Sequence, residues 1–217
     1  MSHNASSLPL IASVLLLAVV VSGCMDPPVE PSLLDGPRVL AVRAQIDDDQ
    51  QRLSLDALTW NATTHTWRTC PTPWLPAPDP RCSSAEGESP GEGASIETEL
   101  PSSSVWLRLD VSAAPGETGV PAVIQIDPTV ELAPLQLDGI TAEPTAGGFT
   151  LGPSGEAPPS GVVTWFTTRG RVVPWRTLGG ATATLELGDE DLAEPVQVFA
   201  VLRDLGAVVW ATVELQP

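Results

Sequence analysis

Histidine and serine are the side chains of this sequence that could carry out hydrolytic catalysis. His65 is the only histidine apart from His3, so a Ser–His–Asp triad is possible only through that residue. His65 lies in a threonine-rich run beside Trp67, where a histidine is far more often a surface residue than a general base. Gly87–Gly91 has the Gly-x-Ser-x-Gly spacing, but it lies in a Gly-, Glu- and Ser-rich loop and not in a strand–turn–helix elbow, and residues 152–155 form a turn that lacks the spacing. We therefore expect no enzymatic activity.

Two short acidic runs have the oxygen donors that calcium prefers. Asp47–Asp49 and Asp189–Asp191 each place three carboxylates in succession. Neither run follows the Asp-x-Asp-x-Asp-Gly spacing of a calcium loop, and neither has the glutamate that closes one. Such runs are typical of solvated turns in acidic proteins. We predict no metal ion and no cofactor, with calcium binding as the alternative.

Tryptophan is unusually frequent, with 7 Trp against 3 Phe and no Tyr. Trp165 and Trp210 lie in alternating apolar runs, which predicts that both belong to a β-sandwich core. Trp60, Trp67 and Trp74 lie close together in the sequence. Exposed indoles of this kind could bind a sugar ring, a peptidoglycan strand or a protein, whereas burial in a core is the alternative.

The N-terminus has the pattern of an export signal. Residues Leu8–Val21 are apolar except for Pro9 and Ser13, and this run is shorter than the roughly 20 residues that span a bilayer. The residues that follow, Ser22-Gly23-Cys24, resemble a bacterial lipobox. The resemblance implies cleavage after Gly23, attachment of diacylglycerol to the Cys24 thiol and acylation of its new amino group. Several acyl chains hold a protein on a membrane almost permanently. A plain secretory signal is the alternative.

The cysteine count agrees with lipidation. Three cysteines is an odd number for an oxidising compartment, and assigning Cys24 to lipid leaves Cys70 and Cys82. We predict that these two form a disulfide. Zinc is the competing hypothesis, but His65 and two cysteines at this spacing match no zinc finger or ribbon. The bridge would enclose Pro71–Arg81, a segment with five prolines.

Composition excludes further classes of partner. The formal charge is −17 and all 10 basic residues are arginine, so no basic stripe is available for nucleic acid or for an anionic membrane surface. Gly 18 and Pro 23 together approach a fifth of the 217 residues, which favours a loop-rich β architecture. Hydrophobic residues at 42% are sufficient for a folded core.

The pattern of strands and turns predicts an all-β protein with two small immunoglobulin-like β-sandwich modules. Short alternating runs recur with Gly and Pro between them, and no stretch has a sustained helical stripe. We expect Asp204-Leu205-Gly206 to join two strands as a hairpin. The predicted organisation is a signal peptide (1–23), a lipidated cysteine with a Pro-rich stalk (24–36), a first sandwich with the disulfide loop (37–133) and a second sandwich (134–217).

Several segments are similar to a family of uncharacterised myxobacterial (deltaproteobacterial) envelope lipoproteins. Besides the lipobox, the resembling residues are Pro37–Arg43, the segment from Cys70 to Pro76, Val163–Phe166, and Val201–Asp204 with Val209-Trp210. The resemblance implies a location in the cell envelope and a β fold, and it implies no activity.

These observations predict a non-catalytic lipoprotein anchored to the envelope, with the sandwiches as spacer and interaction modules. The alternative is a carbohydrate- or peptidoglycan-binding lipoprotein that uses Trp60, Trp67 and Trp74. Because Met25 rather than aspartate follows Cys24, analogy with enterobacterial lipoproteins favours the outer membrane over the inner. The predicted partner-facing element is the Pro71–Arg81 loop, since prolines and a bridge reduce the entropy cost of binding. Its contact residues would be Trp74, Leu75, Asp79 and Arg81.

Overall fold

The structure, a computed structural model, describes residues 30–47, 49, 51–70, 73–74, 81–82, 89–130 and 134–217. These residues form β-strands joined by turns and one 3-10 turn at Asp189–Ala193. Within this part of the chain, no helix is long and apolar enough to cross a membrane. The predicted signal peptide and the lipidation site lie outside the described residues.

The first module is a sandwich of two antiparallel sheets. Its strands are β1 (Arg38–Asp47), β2 (Arg52–Trp60), β3 (Thr64–Thr69), β4 (Pro73–Trp74), β5 (Arg81–Cys82), β6 (Gly91–Glu92), β7 (Ser95–Glu99), β8 (Val105–Ser112) and β9 (Ala122–Ile126). One sheet has the order β1-β2-β7 and the other β6-β3-β8-β9, while β4 and β5 pair as a separate hairpin. Because side chains alternate along a strand, the inward residues of β2 and β8 meet in one core. That core includes Leu53, Leu55, Trp67, Leu107 and Leu109.

The second module repeats this plan. Its strands are β10 (Gly139–Thr145), β11 (Gly148–Ser154), β12 (Val162–Thr167), β13 (Arg171–Val173), β14 (Arg176–Leu178), β15 (Ala183–Glu186), β16 (Val196–Asp204) and β17 (Ala207–Leu215). The two sheets have the orders β10-β11-β15-β13 and β14-β12-β16-β17. Their inner faces enclose a core that includes Leu151, Val163, Trp165, Leu185 and Val198.

Both modules have the strand order of an immunoglobulin-like fold. In each, the first two strands share a sheet with a later strand, while the third strand lies in the opposite sheet beside the penultimate strand, which pairs with the last. Trp67 on β3 and Trp165 on β12 occupy the third strand, where immunoglobulin domains bury a tryptophan. Both are fully buried, and their indole N–H groups donate to the Gly93 carbonyl at 2.9 Å and to Thr177 Oγ1 at 3.1 Å. The prediction of two immunoglobulin-like sandwiches is confirmed.

The hairpin predicted near Asp204 is also confirmed. Asp204 pairs with Ala207, so the loop has two residues, Leu205 and Gly206. Both have positive φ, 44° and 90°, which is the backbone geometry of a type I′ turn. Glycine accommodates such an angle easily, which makes this turn visible in the sequence.

The segment before β1 differs from the predicted stalk. Ser32 and Leu34 are buried, and Leu33 forms a parallel bridge with Thr167 at the end of β12. The part of the 24–36 segment that the structure describes therefore packs on the second module instead of extending freely. Its prolines suggested an extended spacer, but two leucines and a serine in succession supply apolar contacts and hydrogen bonds.

Candidate functional site

Most of the predicted lipidation and binding residues lie outside the described part of the chain. This applies to Gly23 and Cys24, and to Leu75 and Asp79 of the predicted partner-facing loop. For Trp74 and Arg81 the structure gives only the strand pairing, in which they lie opposite each other in the β4–β5 hairpin.

The disulfide that closes this loop is confirmed. Cys70 and Cys82 are bonded, with their Cα atoms 5.3 Å apart, inside the range that a bridge requires. Cys70 directly follows β3, is buried, and donates its backbone N–H to the Trp106 carbonyl at 2.8 Å. The hairpin is thus fixed at its base to the first module, between the third strand and β6.

The tryptophan platform that the sequence suggested does not form from Trp60 and Trp67. Trp67 is wholly buried in the first core, so its ring is not available to a ligand. Trp60 is half-buried and makes an edge-on contact with Phe199 of the second module, with ring centroids 5.8 Å apart. The short sequence distance between these residues was misleading, because Trp67 points into the core of the first module whereas Trp60 points outward to the second.

Among the described residues, those considered for catalysis and for metal binding do not come together in one site. His65 Nε2 lies 3.0 Å from Thr59 Oγ1, and burial lowers the pKa of the imidazole. Asp191 accepts the backbone N–H of Gly188, which caps the 3-10 turn. Among the described residues, no group of three or more His, Cys, Asp or Glu side chains could hold a metal ion. Asp48 lies outside them.

The most distinctive feature of the molecule is the junction between the modules. The outer face of the β1–β2 ribbon packs against the outer face of the β12-β16-β17 sheet through a third apolar cluster. A shift in strand register at Leu40 turns both Leu40 and Ala41 towards the second module. The first module contributes Leu40, Ala41, Leu58 and Trp60, and the second contributes Phe166, Phe199, Val201, Val208 and Trp210.

A half-buried arginine connects the two modules at this junction. Arg203 of β16 donates from Nη2 to the Leu40 carbonyl at 2.7 Å and from Nη1 to Thr164 Oγ1 at 3.2 Å. It forms no salt bridge in the part of the chain that the structure describes. Burial lowers the pKa of this guanidinium, and the nearby Arg176 lowers it further. A partly desolvated charge without a carboxylate partner is costly, and hydrogen bonds such as these offset its desolvation.

A second arginine closes the outer side of the junction. Arg43 of β1 lies over the ring of Trp210, with its Cζ atom 4.8 Å from the ring centroid. Its Nη2 atom also pairs with Asp56 Oδ2 at 2.9 Å. The hydrogen bond from Arg43 lowers the pKa of Asp56, against a smaller opposing effect of burial. The sequence prediction placed Trp210 in a sandwich core, whereas it packs between the two modules.

One signal for this junction was present in the sequence. The run Val196–Leu202 is apolar apart from Gln197, and an antiparallel strand with one solvated face would alternate instead. Val198, Ala200 and Leu202 face the core of the second module, while Phe199 and Val201 face the first module. A strand that is apolar on both sides therefore marks a sheet covered on both sides.

The fold and the junction define the class of protein: two immunoglobulin-like modules packed on each other through sheet faces. No protein-family model matches the chain, and no curated protein matches it. Among solved structures it is similar to the "D0-D1 domain of Intimin", with 15% sequence identity and a TM-score of 0.23. That alignment covers 82% of this chain and 99% of the other. At this score the similarity carries no conclusion about the site or the activity.

Proposed function

We propose that this protein is a non-catalytic lipoprotein that acts as a spacer and interaction module of the bacterial cell envelope. Acylated Cys24 anchors it, in the outer membrane rather than the inner, and it needs no cofactor beyond that covalent lipid. The proposal includes membership of the myxobacterial lipoprotein family that the sequence resembles.

The junction is the observation that supports a spacer. Two modules joined by a free linker would hold no defined distance, because domains with small or polar interfaces move relative to each other. Here an apolar cluster, the Arg203 hydrogen bonds and the Arg43–Trp210 contact connect them. A two-module body of fixed geometry can hold a partner at a constant distance from the membrane.

The partner-facing element in this proposal is the Pro71–Arg81 loop. Its supporting features are the disulfide at its base and the pairing of β4 with β5, which limit its conformations before binding. Trp74 and Leu75 would supply apolar area, and Asp79 and Arg81 a polar rim. The partner is an envelope protein, with peptidoglycan as the other outcome of the test.

Anchoring is tested by Cys24→Ser, with Ser22→Ala as the matched control that keeps a small residue before the cleavage site. We expect mass spectrometry of the membrane fraction to find an acylated Cys24 in the wild type and in the control. The Cys24→Ser protein should be uncleaved or soluble. An N-terminus at residue 24 without an acyl adduct would refute the anchoring.

Partner binding is tested by Trp74→Ala in intact cells with a photo-activated crosslinker. Trp175→Ala, which removes a half-buried indole from the second module, is the control. We expect the Trp74 variant alone to lose the crosslinked species while its melting temperature stays near the wild-type value. A fall of several degrees with crosslinking intact would show that Trp74 is a packing residue and not a contact.

A further inference from the structure

The segment Glu30–Leu34 is bound to the second module although it precedes the first one in the chain. The Thr167 backbone N–H donates to the Ser32 carbonyl at 2.7 Å, and the Leu34 N–H donates to the Thr167 carbonyl at 2.8 Å. The Val172 N–H donates to Ser32 Oγ at 3.1 Å, and that hydroxyl donates to Glu30 Oε1 at 3.1 Å. Ser32 and Thr167 are both fully buried, so these hydrogen bonds are shielded from water.

Leu34 connects this segment to the junction. Its side chain is 5% exposed and lies in the apolar cluster that contains residues of both modules, including Ala41 and Phe199. Three residues later the chain is held by the first module, because the Pro37 carbonyl accepts the Val120 N–H at 2.9 Å. Only Asp35 and Gly36 separate the two attachments.

We infer that Glu30–Leu34 is a strap that seats the N-terminal tether on one end of the second module and so decides which end faces the bilayer. This inference rests on the proposed lipid anchor at Cys24. It assigns a lipid-facing end to a molecule whose formal charge of −17 gives it no net attraction to an anionic lipid surface.

The end in question is defined by strand pairing. Ser32 lies beside Thr167 and Val172, at the end of the module that also carries the β10–β11 turn. The turn is at this end because the Leu187 N–H donates to the Gly147 carbonyl at 2.9 Å, and the neighbouring Glu186 pairs with β13, which contains Val172. The opposite end carries the Leu205-Gly206 turn. Thr167 pairs with Val198, and six residues of β16 lead from there to Asp204, so the two ends are about 20 Å apart at about 3.3 Å per residue.

The strap shortens the tether to a length comparable with the module itself. From Cys24 to Glu30 there are six residue steps, which reach at most about 20 Å. If the strap were released, the tether would continue to Pro37 and reach about 45 Å. A tether of about 20 Å keeps the strap end of the second module nearest the membrane. A tether of about 45 Å would let either end of the module approach it.

The orientation can be tested with the mature chain attached to vesicles by chemical coupling at Cys24 instead of by natural acylation. Because Cys70 and Cys82 are bonded, Cys24 is the one free thiol, and it can be joined to a maleimide lipid in phosphatidylcholine vesicles. A donor dye is placed through an azide-bearing amino acid at Ala146 or at Leu205, both of which are exposed. Energy transfer to acceptor lipids then reports the height of each end.

We expect transfer from position 146 to exceed that from position 205 by about twofold or more, given the separation of the two ends. Leu34→Pro removes the N–H that donates to the Thr167 carbonyl and replaces the buried leucine side chain, and it should bring the ratio close to one. Ser32→Ala, which removes only the hydroxyl, is the milder variant if Leu34→Pro does not fold; Asp35→Ala is the control and should keep the wild-type ratio.

Equal transfer from both positions in the wild type, or a ratio that neither strap variant changes, would overturn the inference. The outcome is separate from that of the proposed function. Absence of an acyl group on Cys24 in cells would refute the natural anchor, while the vesicle experiment would still report whether the strap orients the module.

Discussion

The substitution Phe199→Ala tests whether the junction holds the modules as one body. Phe199 projects from β16 away from the core of its own module and into the inter-module cluster. It is 6% exposed, and its ring meets Trp60 edge-on with an interplanar angle of 69°. Removing the ring therefore leaves a cavity in the junction without opening either sandwich core.

The expected loss of unfolding free energy is about 4 kcal/mol, the middle of the usual cost of truncating a buried phenylalanine. About 0.5–1.5 kcal/mol of that cost comes from the edge-to-face contact with Trp60. Because the junction is what couples the modules, we expect the loss to appear as separation of one unfolding transition into two.

Phe149→Ala is the matched control. Phe149 is 8% exposed and lies in the core of the second module, so its removal should destabilise that module and leave the junction in place. The assay is the width of the distance distribution between spin labels on amino acids introduced at Ser103 and Glu156, which are exposed in different modules. We expect the distribution to broaden in Phe199→Ala and to stay narrow in Phe149→Ala.

One result would refute the reasoning. If Phe199→Ala keeps a distribution as narrow as the wild type and loses less than about 1 kcal/mol, the junction neither couples nor orients the modules. The spacer proposal would then lose its structural support.

Three further predictions concern single contacts. Arg203→Ala should cost about 2 kcal/mol in urea unfolding, since two acceptors lose a charged donor. Arg203→Met loses the same hydrogen bonds but keeps the apolar part of the side chain, so it should cost less; equal losses would mean that packing of this part contributes nothing. Replacing both Cys70 and Cys82 by serine should lower stability by at most about 3 kcal/mol for a bridge of this span, and less in practice because prolines already restrict the unfolded loop. Burial lowers the pKa of His65 below 6.5, so the unfolded chain binds a proton more readily and stability falls as the pH drops through 6.5 towards the folded-state pKa. His65→Gln should reduce the change in the urea midpoint between about pH 7 and pH 5. If the midpoint varies with pH as in the wild type, another group is responsible for the pH dependence.

The elements that the sequence predicted best are those whose signals are local. The Leu205-Gly206 turn follows from a glycine between two apolar runs, and the alternation Leu107, Leu109, Val111 identifies β8 as a strand with one buried face. The Cys70–Cys82 bridge followed from counting cysteines. Each of these depends on neighbouring residues or on composition, not on the arrangement of the two modules.

The junction and the strap could not be predicted in the same way because their partners are far apart in sequence. Phe199 and Trp60 carry no mark that distinguishes an inter-module contact from a core contact. Ser32 and Val172 are 140 positions apart, and nothing in a proline-containing segment identifies its hydrogen-bond partner. The doubly apolar β16 indicated that a second surface covers the sheet, but not which one.

The strap belongs to the N-terminal part of the chain but packs on the C-terminal module, and this affects how the chain folds during synthesis. Ser32 and Leu34 emerge before the first module, yet their acceptor and donor groups belong to residues that follow the whole of it. The second sandwich can therefore be completed only after most of the chain exists, and contacts of such long range form slowly. We expect the first module to fold early and the Glu30–Leu34 strap to bind the second module last. A second module separated from the first by a chain break between residues 130 and 138 would therefore lack the strap.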